Sequence, residues 1–409
     1  MDANLQLMHL LLREPRWDEA TFERAKQACK VKGQEVLGSL ELATEEAFFS
    51  VMYPGDTRML QPSAEALADM SLDTARAGIE RQVFDRLDHM EIIVAQDFDM
   101  LGKALAPRAK AQRLCMEEGD SSVEEEAAKL RQRAQEALEE GLWRFLGSVA
   151  SKQESNKEKA DAEPPLLRPF ESAYAQGCGA GSGLLNQQTR HRHIHLCDPD
   201  KRAYAIVGGG APNCWGVFGE GHAEFAESSN FRWDFDKRRP ELTTHRAYPF
   251  LCLLMLKDVL SCRLNGTLRE RMGLAYSVTF ELSSFSLVQG GWFQARVSSQ
   301  PDKINEALEA AKRVITEVAR KPINTLEVAS SRQHLQRKHQ NDMHSNDYWL
   351  SLLSNLQSDA SNKDITCIRD IEALLQKLGP ADVQNAWRSL LTSEDQLFTA
   401  VGTQGPNSN

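Results

Sequence analysis

The sequence predicts a chain of mixed helix and strand, α/β or α+β, and three observations carry that reading. Two β-rich stretches, Leu274 to Phe285 and Gly291 to Ser298, are separated by Val-Gln-Gly and read as a hairpin. After Pro301, apolar residues fall at helical spacing: Ile304, Ala307, Leu308, Ala311, Val314, Ile315 and Val318. An order of helices ending in a strand occurs twice along the chain, which marks an internal repeat.

Composition excludes several classes. The 409 residues are 41% hydrophobic and 26% charged, so wholesale disorder and fibrous structure fail. At about 150 residues per domain, the length suggests two to three domains. Lys plus Arg total 48 against 58 Asp plus Glu, a net charge of -10. Without a basic cluster, such a chain is a poor holder of nucleic-acid phosphates. No apolar run approaches the ~20 residues of a membrane span. The N-terminal MDANLQLMHLLL lacks a basic leader region, so no targeting signal is visible. Eight cysteines are scattered without a C-x-x-C, which reads as free thiols in a reducing compartment. These features together predict a soluble, intracellular chain.

Taken in order, the elements begin with an apolar helical set at Leu7, Met8, Leu11 and Leu12 and a strand at Glu91-Ile-Ile-Val-Ala95. Residues 103–160 are rich in Ala, Glu, Lys, Arg and Gln. Their little apolar face, at Leu138, Leu142, Trp143 and Phe145, predicts a solvated helical insertion over 103–147. A coiled-coil partner site is the weaker reading, because no apolar heptad is sustained. The charged, Pro-containing 148–169 reads as a flexible linker. Beyond it come the short strand Ala203 to Val207, ended by three glycines, and a largely buried helix over 244–264. Asn324 with Glu327 forms a capping-box start. Two further helices lead to the strand Leu397 to Val401.

The repeat has an offset of 307. Glu65-Ala66-Leu67 matches Glu372-Ala373-Leu374, Pro15 matches Pro322, and Val94 falls on Val401. Leu7, Met8, Leu11 and Leu12 fall on Val314, Ile315, Val318 and Ala319. Residues 1–100 therefore read as the back half of a unit whose complete copy is 185–402. That predicts a first sheet without its partner strands, supplied by a longer polypeptide or by another chain. The division is 1–102, back half of a preceding domain; 103–169, helical insertion and linker; 170–409, the complete C-terminal domain.

The run Cys262-Arg263-Leu264, Leu268-Arg269-Glu270, Gly273-Leu274-Ala275-Tyr276-Ser277-Val278 resembles the C-terminal, non-catalytic domain of the insulysin/pitrilysin family of zinc metallopeptidases. Gly290-Gly-Trp-Phe is similar to that domain's second strand, and Thr325-Leu-Glu-Val-Ala to a later helix. Ile92-Ile-Val-Ala-Gln-Asp-Phe-Asp99 resembles a strand ending the preceding domain, with Gln96 in place of Gly. Processing-peptidase-like members, stromal ones among them, are nearest. The resemblance implies an α+β fold with an antiparallel-rich sheet flanked by helices, duplicated, with the first repeat incomplete. It also implies a zinc-bearing catalytic half, on the same native polypeptide or a partner, and a peptide or precursor-protein substrate. A chloroplast stroma or mitochondrial matrix location would follow from the family.

Family chemistry needs H-x-x-E-H on one helix, two His as zinc ligands and the Glu as general base. None of the ten histidines starts that motif or H-E-x-x-H. No metal site and no cofactor is therefore expected in this chain, with zinc confined to the catalytic half. His191, His193 and His195 would share a strand face but read as an exposed basic edge. His222-Ala-Glu224 lacks the P-C-x-x-C of zinc deaminases. His334, His339 and His344, five apart, do not face one another on a helix. Gly177, Gly179, Gly181 and Gly183 read as linker (a substrate-guiding loop being the weaker reading), and Gly208 to Gly210 as a strand-end loop.

Arg269 and Tyr276 match, by type and seven-residue spacing, the Arg and Tyr with which the family's non-catalytic half reaches the substrate. The resemblance implies that Tyr276 donates to the developing oxyanion and that Arg269 holds a substrate carbonyl or orients the strand. Both are donors that do not titrate near neutrality. The bland alternative pairs Arg269 with Glu270 and packs Tyr276 at a strand start. Two functions follow: the substrate-binding, non-catalytic half of a zinc metalloendopeptidase, inactive alone, or a proteolytically inactive scaffold of the same fold.

Overall fold

The structure, a computed structural model, describes residues 2–54, 56, 58–95, 121–146, 190–196, 201–219, 239–356, 363–390 and 397–405. Helices α1 (Asp2–Arg13), α2 (Glu19–Gly38), α3 (Leu40–Met52), α4 (Ala64–Asp69), α5 (Leu72–Gln82) and α6 (Ser121–Leu146) precede the strands. Then come β1 (His191–Leu196), β2 (Ala203–Ala211), α7 (Pro240–Thr243), α8 (Tyr248–Leu264), β3 (Ser277–Leu282) and β4 (Gly291–Ser299). Helices α9 (Ile304–Thr316), α10 (Thr325–Asp342), α11 (Asn346–Leu353), α12 (Ile365–Arg369), α13 (Ile371–Lys377) and α14 (Pro380–Arg388) lead to β5 (Phe398–Gln404).

Two compact units result. One comprises Met1–Gln27, Ala68–Pro165 and Ser345–Ser354; the other comprises Ala28–Leu67, Leu166–His344 and Asn355–Asn409. Residues 28–67 thus belong with the C-terminal sheet, whereas the sequence division gave them to a preceding domain.

The second unit is built on a five-stranded sheet in the order β1-β5-β2-β4-β3. Only β1 and β5 are parallel; the other three pairings are antiparallel. The sheet is α+β and antiparallel-rich, as predicted. Successive residues alternate between faces, and both faces are buried. Ile206, Phe398 and Ala400 meet Phe48, Phe49, Met52 and Tyr53 of the α3 segment. The alternate residues Ala205, Val207, Phe293, Ala295 and Val297 are equally buried, with α9 packed on β2 and β4 and α8 on β3. Burying Phe48, Phe49 and Met52 contributes roughly 5–9 kcal/mol before ordering costs. Tyr53 adds a hydrogen bond to the Gly291 carbonyl at 2.9 Å.

Gly208 to Gly210 lie inside β2, not in a loop after it. A side chain at Gly208 would sit 2.1 Å from the Phe293 carbonyl and 2.9 Å from the Phe48 ring, so glycine lets α3 and β4 close on that strand.

In the first unit, α6 supplies helix within the predicted 103–147. It is not solvated all round: Leu130, Ala134, Leu138 and Leu146 are buried, and Leu146 packs with Leu5 of α1. The His9 ring also bonds the Phe145 carbonyl. Trp143, by contrast, is 77% exposed. Residues 148–169 and Gly177 to Gly183 lie outside the described residues.

The repeat is visible element by element. A shift of 307 carries α1 onto α9, α2 onto α10, α3 onto α11, α4 onto α13 and α5 onto α14. The exception is 91–95, which corresponds to β5 but runs as irregular chain. β5 lies between β1 and β2, while 91–95 pairs with no strand among the described residues. A strand needs a neighbour to satisfy its backbone.

Candidate functional site

The motif-bearing segment begins with α8. Pro249 stands in its first turn, where a missing N–H costs nothing. Leu251, Cys252, Leu253, Met255, Leu256, Val259, Leu260 and Leu264 bury most of its circumference. Its N-terminal end is held by Asp382, which is 1% exposed. One Asp382 oxygen accepts from the Tyr248 hydroxyl at 2.7 Å and Arg239 at 2.9 Å; the other accepts from the Gly379 N–H at 2.7 Å. Burial pushes the Tyr248 hydroxyl and the Cys252 thiol well above their usual ranges, so both stay neutral.

At its other end α8 runs into a π-helical turn, Asn265–Arg271. Asn265 fixes the junction, its amide donating to the Ser261 and Val278 carbonyls at 3.0 Å each. The Ser261 hydroxyl reaches the Phe280 carbonyl at 3.5 Å. These bonds tie the turn to β3 and cover carbonyls of a strand at the sheet's edge. The chain reverses at Gly273, whose φ is +59°. Nothing lies within 4 Å of a side chain there, so glycine is required by the backbone, at about 1–2 kcal/mol for another residue. Leu274 then donates to the Leu268 carbonyl at 2.9 Å, and Tyr276 N–H to the Ser298 carbonyl at 2.8 Å.

This frame sorts the motif's side chains. Leu268 and Leu274 are buried and anchor the turn, while Arg269, Glu270, Arg271 and Tyr276 are exposed. Arg271 folds back on the Gly266 carbonyl and the Thr267 hydroxyl. Arg263 is structural: its guanidinium grips Glu327 at 2.6 and 2.8 Å and reaches the Lys321 and Pro322 carbonyls. That contact, with the backbone bond from Asn324, holds the Glu327 carboxyl below its usual range. Glu327 also closes the predicted capping box with Asn324.

Arg269 makes no hydrogen bond or ion pair among the described residues, so pairing with Glu270 is not realised. Tyr276 is 56% exposed, with its hydroxyl likewise unengaged among them. Two donors thus stand on a rigid, anchored turn with their polar ends turned to solvent.

The other candidates fall elsewhere. His191, His193 and His195 lie on β1, at the opposite edge of the sheet. The rings of His191 and His195 bond Thr399 and Thr403 of β5 at 2.6 and 2.9 Å. Burial and the Lys312 charge lower the His191 pKa. His334 pairs with Asp258 at 2.9 Å, and His344 lies beyond the end of α10. His222 and Glu224 are outside the described residues. Among the described residues no group of three or more His, Cys, Asp and Glu is placed to hold a metal ion. No described helix is long and apolar enough to cross a membrane. Cys29, Cys214, Cys252 and Cys262 are free thiols.

Residues 240–335, which contain α8, the π-helical turn, Arg269 and Tyr276, match the family described as the peptidase M16 inactive domain. Over that stretch the chain is similar to an M16 inactive domain. Over 421 aligned residues it is 26% identical to the chloroplastic stromal processing peptidase of Arabidopsis thaliana and 27% identical to that of Oryza sativa subsp. indica. These alignments cover 99% and 100% of this chain but only 29% and 30% of the relatives. Among solved structures, a Helicobacter pylori protease superposes with TM-score 0.63 at 11% identity, covering 98% of this chain and 76% of that one. The periplasmic protease PqqL of Escherichia coli gives 0.59 at 14% identity, covering 99% and 35%. The M16 inactive domain from Pseudomonas fluorescens gives 0.58 at 12%, covering 98% and 76%. These likenesses establish a shared fold.

Proposed function

We propose that this chain is the substrate-binding, non-catalytic half of an M16 zinc metalloendopeptidase that processes peptides or precursor proteins. The observation that carries the proposal is the pair of unengaged donors, Arg269 and Tyr276, on a turn that buried leucines and backbone bonds hold rigid. The Tyr276 hydroxyl donates to the oxyanion that develops on the scissile carbonyl. The Arg269 guanidinium binds a neighbouring carbonyl of the extended substrate and fixes its register. Rigidity matters because a preformed donor costs no reorganisation when charge appears.

Zinc would be held by the catalytic half and would supply the activation of water there; this chain supplies binding, orientation and the exclusion of bulk water. The relatives' designation as chloroplastic supports an organellar, stromal setting. The test is reconstitution: a catalytic half bearing H-x-x-E-H is assayed on a precursor peptide with and without this chain. Cleavage should rise by at least about tenfold on its addition, through positioning of the peptide. A complex that forms without any gain in cleavage would favour the inactive scaffold instead.

A further inference from the structure

We infer that Asn265 is a positioning residue: its side-chain amide sets where Tyr276 stands relative to Arg269. The inference deepens the substrate-binding reading of those two donors and rests on it. Arg269 and Tyr276 belong to different supports. Arg269 lies in the π-helical turn Asn265–Arg271, which continues α8, whereas Tyr276 immediately precedes β3. The Tyr276 side is pinned to β4, by its own N–H on the Ser298 carbonyl at 2.8 Å and by the Ser299 hydroxyl on the Leu274 carbonyl. Two donors on two supports keep one geometry only if the supports are joined.

Asn265 joins them. Its amide nitrogen carries two protons, and both are used. One goes to the Ser261 carbonyl of α8 and the other to the Val278 carbonyl of β3, each at 3.0 Å. Val278 is only two residues beyond Tyr276. The other bonds across the junction act elsewhere: Ser261 reaches Phe280 at 3.5 Å, farther along β3, and the Leu274 N–H closes the turn on Leu268. Helix formation does not call for asparagine here. The backbone stays helical through Asn265, at φ -60° and ψ -50°, where asparagine is a weak helix former. The residue is half-buried, between the buried Leu264 and Leu268, where an aliphatic side chain would also pack. What asparagine adds is the pair of bonds. Without them the start of β3 shifts against the turn, and an oxyanion donor set off its place lowers turnover more than peptide affinity.

The test uses Asn265→Leu and the shape-matched Asn265→Asp, both of which lack the donors at neutral pH. In the full chain, amide exchange at Leu274 and Tyr276 should speed up at least about tenfold, with exchange in α10 unchanged. In the complex with the catalytic half, kcat on a precursor peptide should fall about tenfold while KM stays within about twofold. In a Tyr276→Phe background the same substitutions should cost less than about twofold, because the donor they position is gone. A general loss of structure would cost its full factor in either background. Parent-like exchange at Leu274 and Tyr276, or full multiplication with Tyr276→Phe, overturns the inference while leaving the reading of the two donors intact. Near-normal turnover for Tyr276→Phe alone overturns that reading, and the positioning role with it.

Discussion

Tyr276→Phe in the assembled protein should lower peptide turnover by about 10²–10³-fold while leaving folding intact. The substitution removes one hydroxyl from an exposed ring, and no hydrogen bond among the described residues depends on it. Its cost therefore falls on the transition state alone, in the range seen when one oxyanion donor is lost. Arg269→Ala should reduce kcat/KM to a similar or lesser degree, since it removes positioning. The double variant should fall short of the product of the two, because on this proposal both groups would act on one bound peptide. Steady-state cleavage of a precursor peptide, with assembly checked separately, decides the matter. Near-normal turnover for Tyr276→Phe would remove its assigned role and bring the scaffold reading forward.

Asp382→Ala should destabilise the second unit by about 3 kcal/mol, because it removes a buried carboxylate that accepts from three donors. Asp382 is 1% exposed and accepts from Tyr248, Arg239 and the Gly379 N–H. The effect reaches the site, since Tyr248 opens α8 and the far end of α8 runs into the π-helical turn that carries Arg269. Urea unfolding of the full chain measures the loss. A change under about 1 kcal/mol would mean that water replaces the carboxylate, and that α8 is held by apolar packing alone.

Much of the fold was legible where one element encodes its own environment. The 3.6-residue spacing of α9 states that one face is buried, and the capping box at Asn324 states where α10 begins. The hairpin β3–β4 follows from two β-rich runs close in sequence. What depended on distant partners was not legible. The Phe48-Phe49 pair announces burial but cannot name β2 and β5 as its seat. Three consecutive glycines read as a loop because nothing local reveals Phe48 and Phe293 closing on Gly208. Only the fold brings Tyr248 and Arg239 to Asp382.

The segment 91–95 is the converse case. Its sequence is strand-like, yet its conformation is irregular because strand structure resides in pairing, not in propensity alone. In the site, residue types and spacing singled out Arg269 and Tyr276. Folding added the distinction between Arg263, bound to Glu327, and Arg269, with its guanidinium unengaged among the described residues. Both arginines stand in one motif, and only the fold shows what each guanidinium meets.

The central claim is that Tyr276 meets the substrate, and photocrosslinking tests it without relying on turnover. Tyr276 is replaced by p-benzoylphenylalanine, the chain is assembled with its catalytic half, and zinc is removed so that the peptide stays intact. The account predicts a crosslink to the precursor peptide that disappears with excess unlabelled peptide and needs the catalytic half. Absence of that crosslink, in a complex that still binds the peptide, would contradict it.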